Sequence, residues 1–375
     1  MEDLERRGAV NAPAADLARA FAGKRVFLTG HTGFQGSWLT VWLTRLGAEV
    51  TGYALPPEDQ PALFTTLRID DFCRHLEGDV RDAARLRSEL SRCRPDYVFH
   101  LAAQPLVRRS YEIPLETLQI NVLGTANLLD AIRLERQPCA VVVVTSDKCY
   151  ENDGSGQSLG EQEPMGGHDV YSTSKGAAEL VVQGYRRSFF PPADFAQHGI
   201  AVATARAGNV VGGGDWSNDR LVPDAIRALA AGKKILVRNP ASIRPWQHVV
   251  EPLGGYLLLA ARLSGVGADR PADFCEGWNF GPDAAHAVSR VVEETICAWG
   301  EGGWECRQPA GAVHEARALR LAIDKARLRL GWKPRWTLAE TMQRTVEWYR
   351  AHSAGATPGA LRELCLRQIA DSLGG

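Results

Sequence analysis

Gly30-His-Thr-Gly33-Phe-Gln-Gly36 follows the apolar run Arg25-Val-Phe-Leu-Thr29 and opens a stretch, Ser37 to Leu46, that reads as a helix. A short buried strand, Val26 to Thr29, that ends in a glycine loop and turns straight into a helix is open to few folds. Gly30 permits the tight turn, Gly33 lets backbone approach a pyrophosphate, and Gly36 lets the helix pack on the strand. The helix N-terminus adds unpaired N–H groups and partial positive charge for phosphates. Thr32, Phe34 and Gln35 fill the remaining positions of this candidate dinucleotide loop. The spacing is G-x-x-G-x-x-G rather than G-x-G-x-x-G, and an ordinary glycine-rich turn is the competing reading. His31, inside the loop, reads as a turn residue.

The rest of the chain alternates in kind. Strands are predicted over 49–54, 75–77, 97–102, 140–145 and 201–205, and helices over 82–93, 114–134 and 172–190. Near-continuous apolar strands alternating with helices predict a parallel sheet covered on both faces. The expected fold is therefore α/β: a Rossmann-type doubly wound parallel sheet with a smaller C-terminal substrate-binding lobe. Residues 1–22 read as an N-terminal extension, a short surface helix or a loose tail. Residues 23–210 read as the dinucleotide domain carrying the catalytic groups. Residues 211–375 are mostly the lobe, with some strands returning to the sheet. A net charge of −1 over 375 residues gives no reason to expect nucleic acid or an anionic membrane as partner. No apolar run approaches the roughly 18 residues of a membrane span. Glu2, Asp3 and Glu5 do not suit a secretory signal. The eight cysteines form no CxxC pair and no zinc spacing; reduced thiols in the cytoplasm, and no metal site, are the expectation.

Tyr171-Ser-Thr-Ser-Lys175 supplies the proton chemistry. A tyrosine titrates near pH ~10, and a close lysine ammonium favours the phenolate. Residues i and i+4 share one helix face, so Tyr171 and Lys175 are expected beside the cofactor, with the Ser146 hydroxyl joining them around a substrate oxygen. The second strand lacks the usual ribose-binding acid until Glu58, and no Arg or Lys lies between Arg45 and Arg68 to take a 2′-phosphate. NAD is therefore expected over NADP. Asp79, after the third strand, reads either as an adenine contact or as a turn aspartate.

These residues resemble the extended short-chain dehydrogenase/reductase superfamily from Lys24 to about Tyr349. His100-Leu-Ala-Ala-Gln104 and the helix from Asn121 to Leu129 look like its sugar-nucleotide members. Five stretches are similar to the CDP-glucose branch of the nucleotide-sugar 4,6-dehydratases: Thr29 to Trp38, Thr145 to Glu151, Gly208 to Trp216, Asp219 to Pro223 and Arg244 to His248. Segments from His314 and from Asp324 to Pro334 also fit. The resemblance implies that Val80, Leu101, Ala102, Ala103 and Asn121 join the cofactor site. It implies that Gln104, Asn209, Arg220, Leu221, Arg244 and His248 hold substrate, with Asn209 and Arg244 on the diphosphate. It adds a second catalytic set, Ser146-Asp147-Lys148. Relatives have Thr-Asp-Glu here, the Asp protonating the leaving hydroxyl and the Glu removing a proton beside a ketone. Lys148 replaces that Glu and leaves the second base open. His168 reads as a loop histidine.

The expected activity is conversion of CDP-glucose to CDP-4-keto-6-deoxyglucose: oxidation at C4, loss of water across C5 and C6, and return of the hydride to C6. A C4 epimerase, a dehydratase for GDP-mannose or dTDP-glucose, and a non-enzymatic NAD-sensing protein are the alternatives. The superfamily also implies a homodimer or dimer of dimers, through helices following Pro114 and Tyr171. Leu118, Val122, Leu129, Ala178, Val182 and Tyr185 supply the apolar spacing.

Overall fold

The computed structural model describes residues 12–58, 61–307 and 318–374; the segment from His314 falls outside these. Seven parallel strands form the central sheet: β1 Arg25–Thr29, β2 Glu49–Ala54, β3 Arg74–Glu77, β4 Tyr97–His100, β5 Cys139–Val144, β6 Ile200–Ala207 and β7 Gly277–Phe280. Their order is β7-β6-β5-β4-β1-β2-β3. The chain runs outward from β1 through β2 and β3. It then returns to the other side of β1 and continues from β4. The reversal opens a crevice at the carboxyl ends of β1 and β4, where doubly wound sheets bind ligands.

The interior strands are apolar on both faces because both faces are covered. β6 is buried along its whole length, and β5 reads Cys-Ala-Val-Val-Val-Val with only Val144 partly exposed. One face packs on the helices Ala83–Cys93, Gly124–Glu135 and Val170–Ser188. The other packs on Phe34–Arg45, Val250–Leu263 and the C-terminal helices Leu338–Ser353 and Pro358–Leu373.

The strands predicted from sequence sit within two residues of their observed ends, and β7 adds a seventh. The predicted helix over 114–134 is three pieces: Pro114–Leu118, a π-helical turn Gln119–Leu123, and Gly124–Glu135. Of the N-terminal extension, Ala12–Phe21 is a docked helix. Leu17, Ala20 and Phe21 are buried, Phe21 lies 4.6 Å from the Tyr97 ring, and Arg262 pairs with Asp16 at 2.8 Å.

Candidate active site

A cavity of about 820 Å³ opens at the switch point and is walled by both halves of the chain. Gly30 has φ +78°, and a Cβ there would lie 2.6 Å from the Ala102 nitrogen. A Cβ on Gly36 would lie 2.1 Å from the Gly30 carbonyl oxygen. Both positions are closed to larger residues by the protein's own packing. Gly33 differs: it is exposed, and a Cβ would meet only the Gly30 oxygen at 3.4 Å. Its bare backbone faces the cavity. It is also the N-cap of Phe34–Arg45, where no side chain caps the first turn. This donor set suits a diphosphate, and Thr32, Phe34, Gln35, Val80, Leu101, Ala102 and Ala103 continue the same wall. The Thr32 hydroxyl donates to the Leu55 carbonyl at 2.9 Å, tying the loop to the end of β2. Both Asp79 carboxylate oxygens accept from Arg81, and the residue lines the cavity.

His31 is a buried anchor. Its Nε2 lies 2.7 Å from His75 Nδ1 and its ring fills the space a Cβ on Gly52 would need. Burial, then His75, lowers its pKa to about 3.

Two residues expected to contact ligand lie outside the cavity wall. Asn121 is absent from the cavity wall. Its oxygen accepts from the Gln104 N–H at 2.8 Å, and its amide donates to the Gln104 carbonyl and to Ser174 Oγ. It fixes the loop after β4 to the Tyr171 helix and has no group left for a cofactor. His248 is fully buried between Trp38 and Trp336 and also lies outside the wall. Gln104 does line the cavity, but its amide N–H groups are spent on the Leu106 carbonyl and Thr117 Oγ1. Asn209, Arg220, Leu221 and Arg244 all line the cavity; Arg220 pairs with Asp215 at 3.0 Å.

The reacting groups come from two elements. β5 ends at Val144, and Thr145-Ser146 leads into a short turn, Asp147–Cys149. The helix Val170–Ser188, N-capped by Asp169, presents Tyr171, Lys175 and Glu179 on one face. Glu179 locks the two elements together. It accepts from Thr145 Oγ1 at 2.5 Å, from Thr204 Oγ1 at 2.7 Å, and from the Arg206 fork at 2.9 and 2.7 Å. Arg206 also donates to the Tyr150 hydroxyl at 2.6 Å. The Coulomb gain of such a buried pair is offset by desolvation; what the network fixes is geometry.

Ser146 Oγ donates to Asp147 Oδ1 at 3.1 Å, while Asp147 Oδ2 is buried with no protein partner. Burial raises the Asp147 carboxyl; Lys148, Ser146 and Arg244 oppose this without reversing it. Burial thus shifts the group toward its protonated form. Lys148 Nζ lies 5.8 Å from the centre of the Tyr171 ring. Burial pushes the Tyr171 phenol up to about 12; a Ser146 hydrogen bond and Arg220 pull it down. Lys175 is lowered to about 8 by burial. The sequence reading had Lys175 depress the tyrosine. In the structure burial dominates, and Arg220 is the cation that acts on the phenol.

Sequence reasoning missed Tyr256, Trp216, Arg109 and Arg238 in the wall. Arg109 donates to Glu58 at 2.6 Å, two residues distant in sequence that meet at the cavity edge. Among the described residues no group of three or more His, Cys, Asp or Glu is arranged to hold a metal, and no helix is long and apolar enough to cross a membrane.

The chain is 50% identical over 335 residues to the CDP-glucose 4,6-dehydratase of Salmonella typhimurium, covering 89% of this chain and 92% of that one. A dTDP-glucose 4,6-dehydratase of Streptomyces venezuelae, solved with NAD bound, superposes with a TM-score of 0.74 at 24% identity, covering 88% and 98%. The UDP-glucose 4-epimerase of Thermotoga maritima also superposes at 0.74, with 20% identity over 88% and 99%. The fold thus serves dehydratase and epimerase alike, and the site must decide between them. The model of the GDP-mannose 4,6-dehydratase family matches residues 27–345, and the chain belongs to that family.

Proposed function

We propose that the chain is a CDP-glucose 4,6-dehydratase that uses NAD. The observation that carries the reading is Asp147, a buried carboxyl in the cavity wall with one oxygen unpartnered and its pKa raised by burial. An epimerase has no leaving hydroxyl to protonate and no use for such an acid. The half-identity with the Salmonella enzyme supports cytidine as the base.

Gly30, Gly33, Gly36 and the first turn of Phe34–Arg45 would hold the cofactor diphosphate. Glu58, four residues past β2 at the cavity edge and paired with Arg109, is the carboxylate on that side that could accept from ribose hydroxyls. NAD held there would supply the oxidant for C4 and the hydride returned to C6. Tyr171, in the phenolate form that the Ser146 hydrogen bond and Arg220 favour, receives the C4 hydroxyl proton. The resulting C4 ketone makes the C5 proton acidic. Lys148, in its neutral form, is the candidate to take that proton, and Asp147, in its protonated form, delivers its own to the C6 hydroxyl, which leaves as water. Arg244 and Asn209 grip the substrate diphosphate; a guanidinium fork matches phosphate geometry.

The chain pairs with a second copy through the helices after Pro114 and Tyr171. Leu115, Leu123 and Leu180 on that face are 67%, 56% and 56% exposed. The eight free cysteines fit a reducing cytoplasm.

The test is incubation with CDP-glucose, dTDP-glucose, UDP-glucose and GDP-mannose, reading the alkaline absorbance of a 4-keto sugar. CDP-glucose is expected to give it fastest. A C4 epimer with no keto sugar, or preference for another base, contradicts the reading.

A further inference from the structure

Tyr256 belongs to none of the sequence motifs. It sits on the helix Val250–Leu263 amid apolar neighbours, fully buried, its ring edge-on to Phe280 at 5.6 Å. That packing needs only an aromatic ring, and a phenylalanine would supply it. The hydroxyl has no such explanation. It is buried without a protein partner, yet Tyr256 lines the active cavity together with Asp147 and Tyr171. Asp147 Oδ2 is unpartnered in the same wall. A buried polar group left unpaired is destabilising; Gln35, Trp216 and Trp246 of the same wall carry such atoms too, but Tyr256 and Asp147 are the two that interact electrostatically, which marks the place of one polar group of a ligand. Burial raises the Tyr256 phenol far above its ordinary range, and Asp147 and Tyr171 raise it further. The two are therefore within electrostatic reach, and Tyr256 stays a proton-bearing donor.

We propose that Tyr256 is a further catalytic residue, its hydroxyl donating a hydrogen bond to the C6 oxygen of the sugar as that oxygen departs. The proposal rests on the dehydratase reading above. In the step, the C5–H bond breaks and its proton goes to the base. Its electron pair becomes the C5–C6 double bond. The C6–O bond breaks with its pair on oxygen, and that oxygen takes the Asp147 proton and leaves as water. Tyr256 keeps its own proton throughout, and its hydrogen bond strengthens as charge builds on the departing oxygen.

Tyr256→Phe removes the hydroxyl and leaves the ring. Its thermal midpoint is expected to equal or exceed that of the parent chain. On mixing with CDP-glucose, C4 oxidation, read as near-ultraviolet absorbance of the reduced bound cofactor, is expected to persist within about twofold. Keto-sugar formation is expected to fall about 10–100-fold, the effect of losing one preorganised donor. Combined with Asp147→Asn, the loss is expected to be smaller than the product of the two single losses, because both act on one oxygen. Unchanged keto-sugar formation overturns the proposal. So does an equal slowing of oxidation and elimination, which would place the hydroxyl elsewhere. Failure of the parent chain to act on CDP-glucose would strike at the dehydratase reading, whereas normal turnover by Tyr256→Phe strikes at this proposal alone.

Discussion

Asp147 and Lys148 are neighbours in sequence with different surroundings. Asp147 is enclosed and its carboxyl is shifted toward the protonated form by burial, while Lys148 is half-buried beside the Tyr171 ring. If Lys148 is the C5 base, Lys148→Ala should still oxidise C4 and accumulate reduced cofactor, but show no exchange of the C5 hydrogen in D₂O. If it only steadies the developing enolate, exchange should be slowed yet measurable. Full turnover by the variant would remove Lys148 from the chemistry. The residues that were legible in sequence carry chemistry at fixed spacings: the three glycines, Tyr171 with Lys175, and Ser146 to Lys148. Asn121 and His248 misled because a motif position does not reveal where a side chain is spent. Asn121 hydrogen-bonds Gln104 and Ser174, and His248 packs among aromatic rings with its Nε2 unpartnered. Tyr256 was illegible because one tyrosine in an apolar helix looks like core until its hydroxyl is seen without a partner.

The first six strands were legible because buried parallel strands are short apolar runs between turn residues. β7 and the helices beyond residue 213 were not, because their pairing depends on distant partners: β7 lies on β6, some 70 residues earlier in the chain, by register alone. One such element is held by a titratable group. Glu251, at the start of Val250–Leu263, accepts the Arg335 and Trp336 N–H groups at 3.0 Å, and its carbonyl accepts from the Trp332 indole. It thereby pins the segment leading into the C-terminal helices. Burial raises its carboxyl to about 7, against ~4.3 in an unfolded chain. A raised carboxyl contributes fully below the unfolded value. Its contribution declines as pH climbs from ~4.3 toward ~7, because the unfolded chain ionises first, and it is gone above that. The loss is on the order of 2–4 kcal/mol. Glu251→Gln keeps an acceptor for both N–H groups and has no charge to bury. Thermal melting should therefore drop between pH 5.5 and 8.5 by several degrees more in the parent than in the variant, an interval bracketing the ~7 titration. Parallel curves would show that Glu251 ionises normally in the folded chain.

At the scale of the molecule, one sheet reversal gathers everything the reaction needs. The glycine loop leaves β1, the Ser146 turn leaves β5, Tyr171 stands on the helix that leads into β6, and the substrate arginines follow β6. Doubly wound topology was legible from the alternation of elements. The face proposed to meet a second copy was only half legible. Leu129, Ala178 and Val182, offered from periodicity, are buried against the sheet, and Tyr185 packs on the same cluster. The exposed stripe is Leu115, Leu123 and Leu180. Apolar period marks both faces of such a helix pair, and only the fold separates them. Leu115→Glu with Leu180→Glu should convert a dimeric light-scattering mass to a monomeric one; a parent chain already monomeric at micromolar concentration would contradict the pairing. The central claim, that one site oxidises C4 and returns the same hydrogen to C6, is tested most directly with CDP-glucose deuterated at C4. The account predicts a 4-keto-6-deoxy product carrying the deuterium at C6, with a solvent-derived hydrogen at C5. Deuterium retained at C4 of an epimerised sugar, or lost to solvent with C6 still hydroxylated, would contradict it.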